Sequence, residues 1–95
     1  MNGILGGKML RSDYKAKGGL IRIRAEISEN RIDDIMITGD FFIFPEDSIE
    51  KIENELRGRE FNLNEINDIV QNILKDSESS ITAGDIINAI RNLRE

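Results

Sequence analysis

Between Leu20 and Ser28 the chain alternates, with Ile21, Ile23, Ala25 and Ile27 on one side and Arg22, Arg24 and Glu26 on the other. A period of two over this length predicts a strand with one face buried. A second run, Ile32 to Thr38, sets Ile35 and Ile37 on one face. A hairpin through Glu29-Asn30-Arg31 then pairs Ala25 with Ile35 and Ile23 with Ile37, keeping both apolar faces on the same side, whereas a slip of one residue turns one of them to water. Met9 to Lys15 is read as a third antiparallel strand, joined to the next by a turn at Gly18-Gly19. Phe41-Phe42-Ile43-Phe44 is read as extended, leading into Pro45, and four consecutive large apolar residues are core or interface.

From Pro45 onward the period becomes helical. Pro45 suits a first helical position, Glu46 and Asp47 suit the positive end of a helix dipole, and Ile49, Ile52 and Leu56 form a stripe that stops at Gly58. A second helix starts after Asn62 as cap, with Glu65 reaching back and Phe61 stapled on Ile66. Its apolar face is Ile66, Ile69, Val70, Ile73 and Leu74. The same device recurs with Thr82 as cap, Asp85 in the box position and Ile81 against Ile86, followed by Ala89, Ile90 and Leu93. Lys75 to Ser80 is a polar linker, expected to be the most mobile internal segment. Strands first and helices afterwards predict an α+β fold: a small antiparallel sheet of about three strands packed against about three α-helices.

A chain of 95 residues fits one domain with one modest core, so residues 1–95 are read as a single domain. No apolar run is long enough to cross a bilayer, and Met1 to Lys8 lacks the blocks of a signal peptide, so the expected location is cytoplasmic. With no cysteine and no histidine, thiol nucleophiles, thiolate metal sites, disulfides and the commonest general base are all excluded. The net charge of −5 hides an asymmetry. Residues 1–24 carry Lys8, Arg11, Lys15, Lys17, Arg22 and Arg24 against Asp13 alone, so the basic end faces solvent, a phosphate or an acidic partner. Its one aromatic, Tyr14, is too few for the stacking platforms of a single-strand binder.

The candidate chemistry is sparse. Gly6-Gly7 and Gly18-Gly19 have neither phosphate-loop nor dinucleotide spacing and read first as turn geometry. Adjacent Asp33 and Asp34 point to opposite faces of a strand and do not form a carboxylate pair. Glu46, Asp47, Glu50, Glu53 and Glu55 have no calcium-loop spacing and read as a solvated face. No catalytic residue and no metal ligand is assigned. Thr38-Gly39-Asp40-Phe41-Phe42 is the least ordinary stretch: a turn whose Asp side chain can accept backbone N–H bonds, with one phenylalanine in the core and its neighbour requiring a helix or a partner to cover it.

Lys15-x-x-Gly18-Gly19-Leu20-Ile21-Arg22-Ile23, then Ile37-Thr38-Gly39-Asp40-Phe41-Phe42-Ile43-Phe44-Pro45-Glu46, then a helix ending Leu56-Arg57-Gly58, resembles the C-terminal domain of bacterial lipoate–protein ligase A. The resemblance runs from about Met9 to Glu95 and is closer to the free-standing counterpart of that domain in archaea whose ligase is split between two polypeptides. It implies an accessory subunit without catalytic activity alone, needed with a large catalytic subunit for ATP-dependent activation of lipoate to lipoyl-adenylate. It implies no cofactor bound by this chain alone, and lipoate and ATP with magnesium in the complex. The implied partner is the large subunit and, indirectly, lipoyl-acceptor domains, with no nucleic acid and no membrane. Carried over by position, Lys15, Gly18 and Gly19 become a substrate- or nucleotide-proximal loop, and Gly39, Asp40, Phe41 and Phe42 a partner interface. Two alternatives stand beside this: a protein-interaction adaptor, and a nucleic-acid-binding module using the basic sheet face.

Overall fold

The computed structural model of the chain describes residues 7–95. Met1 to Gly6 lie outside them, and with them the first glycine of Gly6-Gly7 and most of the segment read for targeting signals. Strands β1 (Lys8–Ala16), β2 (Gly19–Ser28) and β3 (Arg31–Asp40) form an antiparallel sheet in the order β1-β2-β3. The register is the one the alternation requires: Ala25 lies opposite Ile35 and Ile23 opposite Ile37. Glu29 and Asn30 take φ of 50° and 62° between paired Ser28 and Arg31, a two-residue turn whose twist matches that of its strands.

Alternation alone misplaces one residue. Ile32 has the opposite parity to Ile35 and Ile37, yet all are buried. The pairing passes from Glu26–Asp34 to Ile27–Ile32, so Asp33 is an extra residue on β3. This bulge rotates Ile32 back to the core side. It also corrects the expectation for the two aspartates: both are exposed, Asp33 accepting from the Ser28 hydroxyl and Asp34 pairing with Arg57.

Beyond the sheet come β4 (Ile43–Phe44), α1 (Ser48–Leu56), α2 (Leu63–Leu74), β5 (Glu78–Ser79) and α3 (Ala83–Arg91). All three helices lie on one side of the sheet, α1 on β3, α3 on β1 and β2, and α2 against both other helices. Ile21, Ile23, Ile35, Ile52, Leu56, Ile66, Val70, Ile86 and Ile90 are the centre of one hydrophobic cluster. Each buried aliphatic side chain contributes about 1.5–3 kcal/mol. Thr82 and Asp85 close a complete capping box on α3. On α2 the Asn62 side chain accepts from the N–H groups of Asn64 and Glu65, but Glu65 does not reach back: its carboxylate turns to Arg59 at 3.9 Å.

Two expectations are corrected. Helix α1 begins at Ser48, not Pro45, because Pro45 first closes a turn in which its carbonyl accepts from Ser48 N–H at 3.0 Å. The Lys75–Ser80 linker is tied down rather than free: β5 pairs with β4, and Ser77 Oγ meets the Oγ of buried Ser48 at 2.9 Å.

Both outer strands find partners. Arg11 exchanges backbone hydrogen bonds with Arg94 of the C-terminal tail, at 2.9 and 3.1 Å. On β3 the backbone of Gly58 and Arg59 pairs with Ile32, at 2.7 and 2.8 Å, and side chains of α1 and its C-cap serve further along: Glu53 accepts from Ile37 N–H at 2.7 Å, and Arg57 donates to the Ile35 carbonyl at 3.2 Å. Glu53 is therefore not part of a plain solvated face, its side chain being only 14% exposed. Arg57 also donates to Asp34 at 2.7 Å, and this hydrogen bond, helped by one from Ile35 N–H, holds the Asp34 carboxyl below its ordinary value. A depressed folded-state pKa stabilises the fold above the unfolded value, near 3.9, and that contribution disappears as pH falls through the folded value. Asp34→Asn is therefore expected to flatten the acid limb of the stability curve below about pH 4. Urea denaturation across that range checks it, and an unchanged limb removes Asp34 from the acid response.

Candidate functional site

The residues singled out in the sequence gather at one end of the sheet. Lys15 lies opposite Leu20, and Leu20 opposite Asp40, so the three form one row across β1, β2 and β3 on the face away from the helices. The turn that closes the β1 side of this end is Lys17-Gly18, one residue earlier than the expected Gly18-Gly19, because Gly19 already pairs with Ala16 as the first residue of β2; Phe41-Phe42 leaves from the β3 side. Gly39 and Asp40 are not a turn: both remain in β3, opposite Ile21 and Leu20, and the chain departs only at Phe41. None of the hydrogen bonds or ion pairs among the described residues ends on the Asp40 carboxylate, so it does not cap a turn there.

The glycines are where three backbones meet. A Cβ on Gly18 would lie 1.6 Å from the Ser80 carbonyl oxygen, and one on Gly19, at φ 142°, 1.9 Å from that of Asp40. A Cβ on Gly39, at φ 152°, would lie 2.0 Å from the Leu20 carbonyl oxygen. The β1–β2 turn, the end of β3 and the residue after β5 thus approach closer than any side chain permits. Ser80 completes the junction by bracketing Phe42: its N–H donates to the Phe42 carbonyl and its hydroxyl accepts from Phe42 N–H, both at 2.9 Å. The sequence pointed to glycine turns here but gave no sign that Ser80 belongs to the same place, since the contact spans the helical region.

This junction orients the phenylalanines differently. Phe41 packs against the hydrophobic cluster, with its ring over Gly39. Phe42 points outward, 61% exposed, and so does Phe44, 57% exposed. Phe44 was not among the candidate residues, although spacing by two along an extended segment is the signal that groups it with Phe42. Two large exposed aromatic rings so close in sequence mark a surface for association.

The donor set decides what the site can bind. The space beside Gly18 and Gly19 is occupied by the carbonyl oxygens of Ser80 and Asp40, which repel a phosphate, so the pair is not an anion cradle. Lys15 and Lys17 are exposed ammoniums next to it, and no backbone donor beside them is turned toward an anion. Among the described residues no three carboxylates converge on a metal position. The residues present at this end do not fit a nucleotide triphosphate by themselves, and no chemical step is assigned to them. Among the described residues no helix is long and apolar enough to cross a membrane.

Residues 9–90 match the family model of the bacterial lipoate protein ligase C-terminus. The chain is 45% identical over 87 residues to lipoate-protein ligase A subunit 2 of Thermoplasma acidophilum, covering 87% of this chain and 88% of that protein. It is also similar to a chain in the solved structure of an archaeal lipoylation system from Thermoplasma acidophilum, a bi-partite lipoate protein ligase and its E2 lipoyl domain. There the TM-score is 0.81 at 41% sequence identity, over 90% of this chain and 97% of that one.

Proposed function

Because the chain belongs to the family of bacterial lipoate protein ligase C-termini, we propose that it is the accessory subunit of a two-component lipoate–protein ligase, acting with a large catalytic subunit in the ATP-dependent activation of lipoate. The observation that carries this reading is the similarity to a protein that is itself subunit 2 of such a ligase, over 88% of that protein's length. The chemistry agrees with the division of labour. A chain without cysteine or histidine has no thiol nucleophile and lacks the commonest general base, but activation also needs a carboxylate held against a phosphate and shielded from water. A docked subunit provides both by position alone. The large subunit supplies the lipoate and nucleotide sites.

In this reading Phe42 and Phe44 carry the docking surface. Gly18, Gly19, Gly39 and Phe41 set the shape of the junction that presents them. Asp40 and Lys15 sit at its rim, and the Lys15 ammonium reaches toward the partner's active site. The test is reconstitution: large subunit, lipoate and ATP, with and without this chain, followed by lipoate-dependent pyrophosphate release. Stimulation by the chain is expected, and none would sink the proposal. Lys15→Ala is expected to lower that rate about tenfold at saturating partner if the ammonium lies near the developing phosphate charge. An unchanged rate takes Lys15 out of the site and leaves the docking role intact.

A further inference from the structure

The face of the sheet away from the helices carries a charge arrangement that the fold itself does not use. Reading across the strands, Arg11, Arg24 and Met36 form one row and Asp13, Arg22 and Thr38 the next, followed by the Lys15 row that ends at the glycine junction. Arg11 and Arg24 are directly opposite one another, and like charges in that position destabilise a sheet. Among the described residues no carboxylate comes within 4.0 Å of either guanidinium; the ion pair in these rows joins Arg22 to Asp13, at 3.7 Å with both side chains largely exposed. A groove of about 410 Å³ opens over these rows, lined by Arg11, Asp13, Arg22, Arg24, Met36 and Thr38. Met36 is 51% exposed beside it.

This composition selects the partner. Arginine and methionine are enriched where proteins meet, and a guanidinium binds a carboxylate through two parallel hydrogen bonds. Nucleic acid is disfavoured: Tyr14, the aromatic of β1, packs against the core and bonds Asn88 at 3.2 Å, so no ring lies among the arginines of the groove for a base to stack on. Area points the same way. Three strands and three rows cover roughly 300 Å², well short of the ~800 Å² that each partner contributes to a stable complex. The Lys15 row ends at Asp40, two residues before exposed Phe42, so a partner seated on the groove has the phenylalanines within reach to enlarge the contact. We infer that the large subunit presents a carboxylate-bearing surface to this groove, its acidic side chains held by Arg11 and Arg24. This rests on the accessory-subunit reading and gives that interface its ionic half.

Arg24→Glu tests it, since a glutamate opposite Arg11 relieves the repulsion within the sheet. The variant is expected to melt no lower than the wild type, yet to bind the large subunit about tenfold more weakly in titration calorimetry. Wild-type affinity should fall with added salt, and that dependence should be shallower in the variant. Arg24→Gln, which removes the charge without reversing it, should fall between. If both variants bind at wild-type affinity while Phe42→Ala weakens binding, the groove proposal is overturned and the accessory reading stands. Unchanged affinity with slower transfer to a lipoyl-acceptor domain assigns the groove to the acceptor, which also overturns it. Arginine-dependent capture of an oligonucleotide, without any effect on the large subunit, does the same. If the wild-type chain does not bind the large subunit at all, both readings fall.

Discussion

Gly39→Ala is expected to lower the unfolding free energy by about 3 kcal/mol, a third or more of what holds a small domain together. Two costs combine. At φ 152° an L-residue is strained, by about 1–3 kcal/mol. The new methyl carbon would also sit 2.0 Å from the Leu20 carbonyl oxygen and 3.0 Å from the Phe41 ring. The neighbours cannot yield cheaply, because one is the backbone of the central strand and the other packs on the core. Gly58 supplies the control: it also has positive φ, 83°, but nothing lies within 4 Å of its added Cβ. Gly58→Ala should cost only about 1 kcal/mol, for the left-handed conformation. Urea denaturation followed by circular dichroism separates the two. Equal costs would mean that the close approach at Gly39 relaxes freely.

The second large effect concerns association. The double substitution Phe42→Ala, Phe44→Ala is expected to weaken binding to the large subunit by at least about 2 kcal/mol, roughly 30-fold in Kd. Both rings are more than half exposed in the free chain, so their removal takes little from its own packing. Melting should therefore be nearly unchanged while calorimetric affinity drops. Phe41→Ala should do the reverse, since its ring packs against the hydrophobic cluster. Full binding by the double variant would place the docking surface elsewhere.

What could be read from the sequence was what neighbours in the chain decide. The Thr82–Asp85 capping box spans three residues and formed as expected. The Ala25–Ile35 register followed from parity across a short hairpin. Ile32 was hidden because a single inserted residue, Asp33, reverses parity without any change of composition. Glu53 read as one acid among several, and only the approach of α1 to β3 turns its carboxylate onto Ile37 N–H. The pairing of Ile43 with Ser79 joins two-residue strands on either side of α1 and α2, too short to leave a period. At the candidate site the glycines were visible as turns, but the carbonyls they admit belong to residues 40, 80 and 20, which no local pattern connects.

The treatment of the outer strands bears on how such a domain can exist apart from a catalytic body. An open strand edge invites a second copy to add itself, and then a third. Here a carboxylate from α1 and the guanidinium of its C-cap Arg57 occupy the edge groups of Ile37 and Ile35, and the C-terminal tail occupies those of Arg11. The rest of β1 toward the turn bears Asp13 and Lys15, charges that discourage stacking of like chains. Edge pairing is thus hindered at Arg11, Ile35 and Ile37 by the fold itself. A second copy adding itself strand to strand would have to displace these contacts first, whereas the exposed rings of Phe42 and Phe44 can be met without disturbing them.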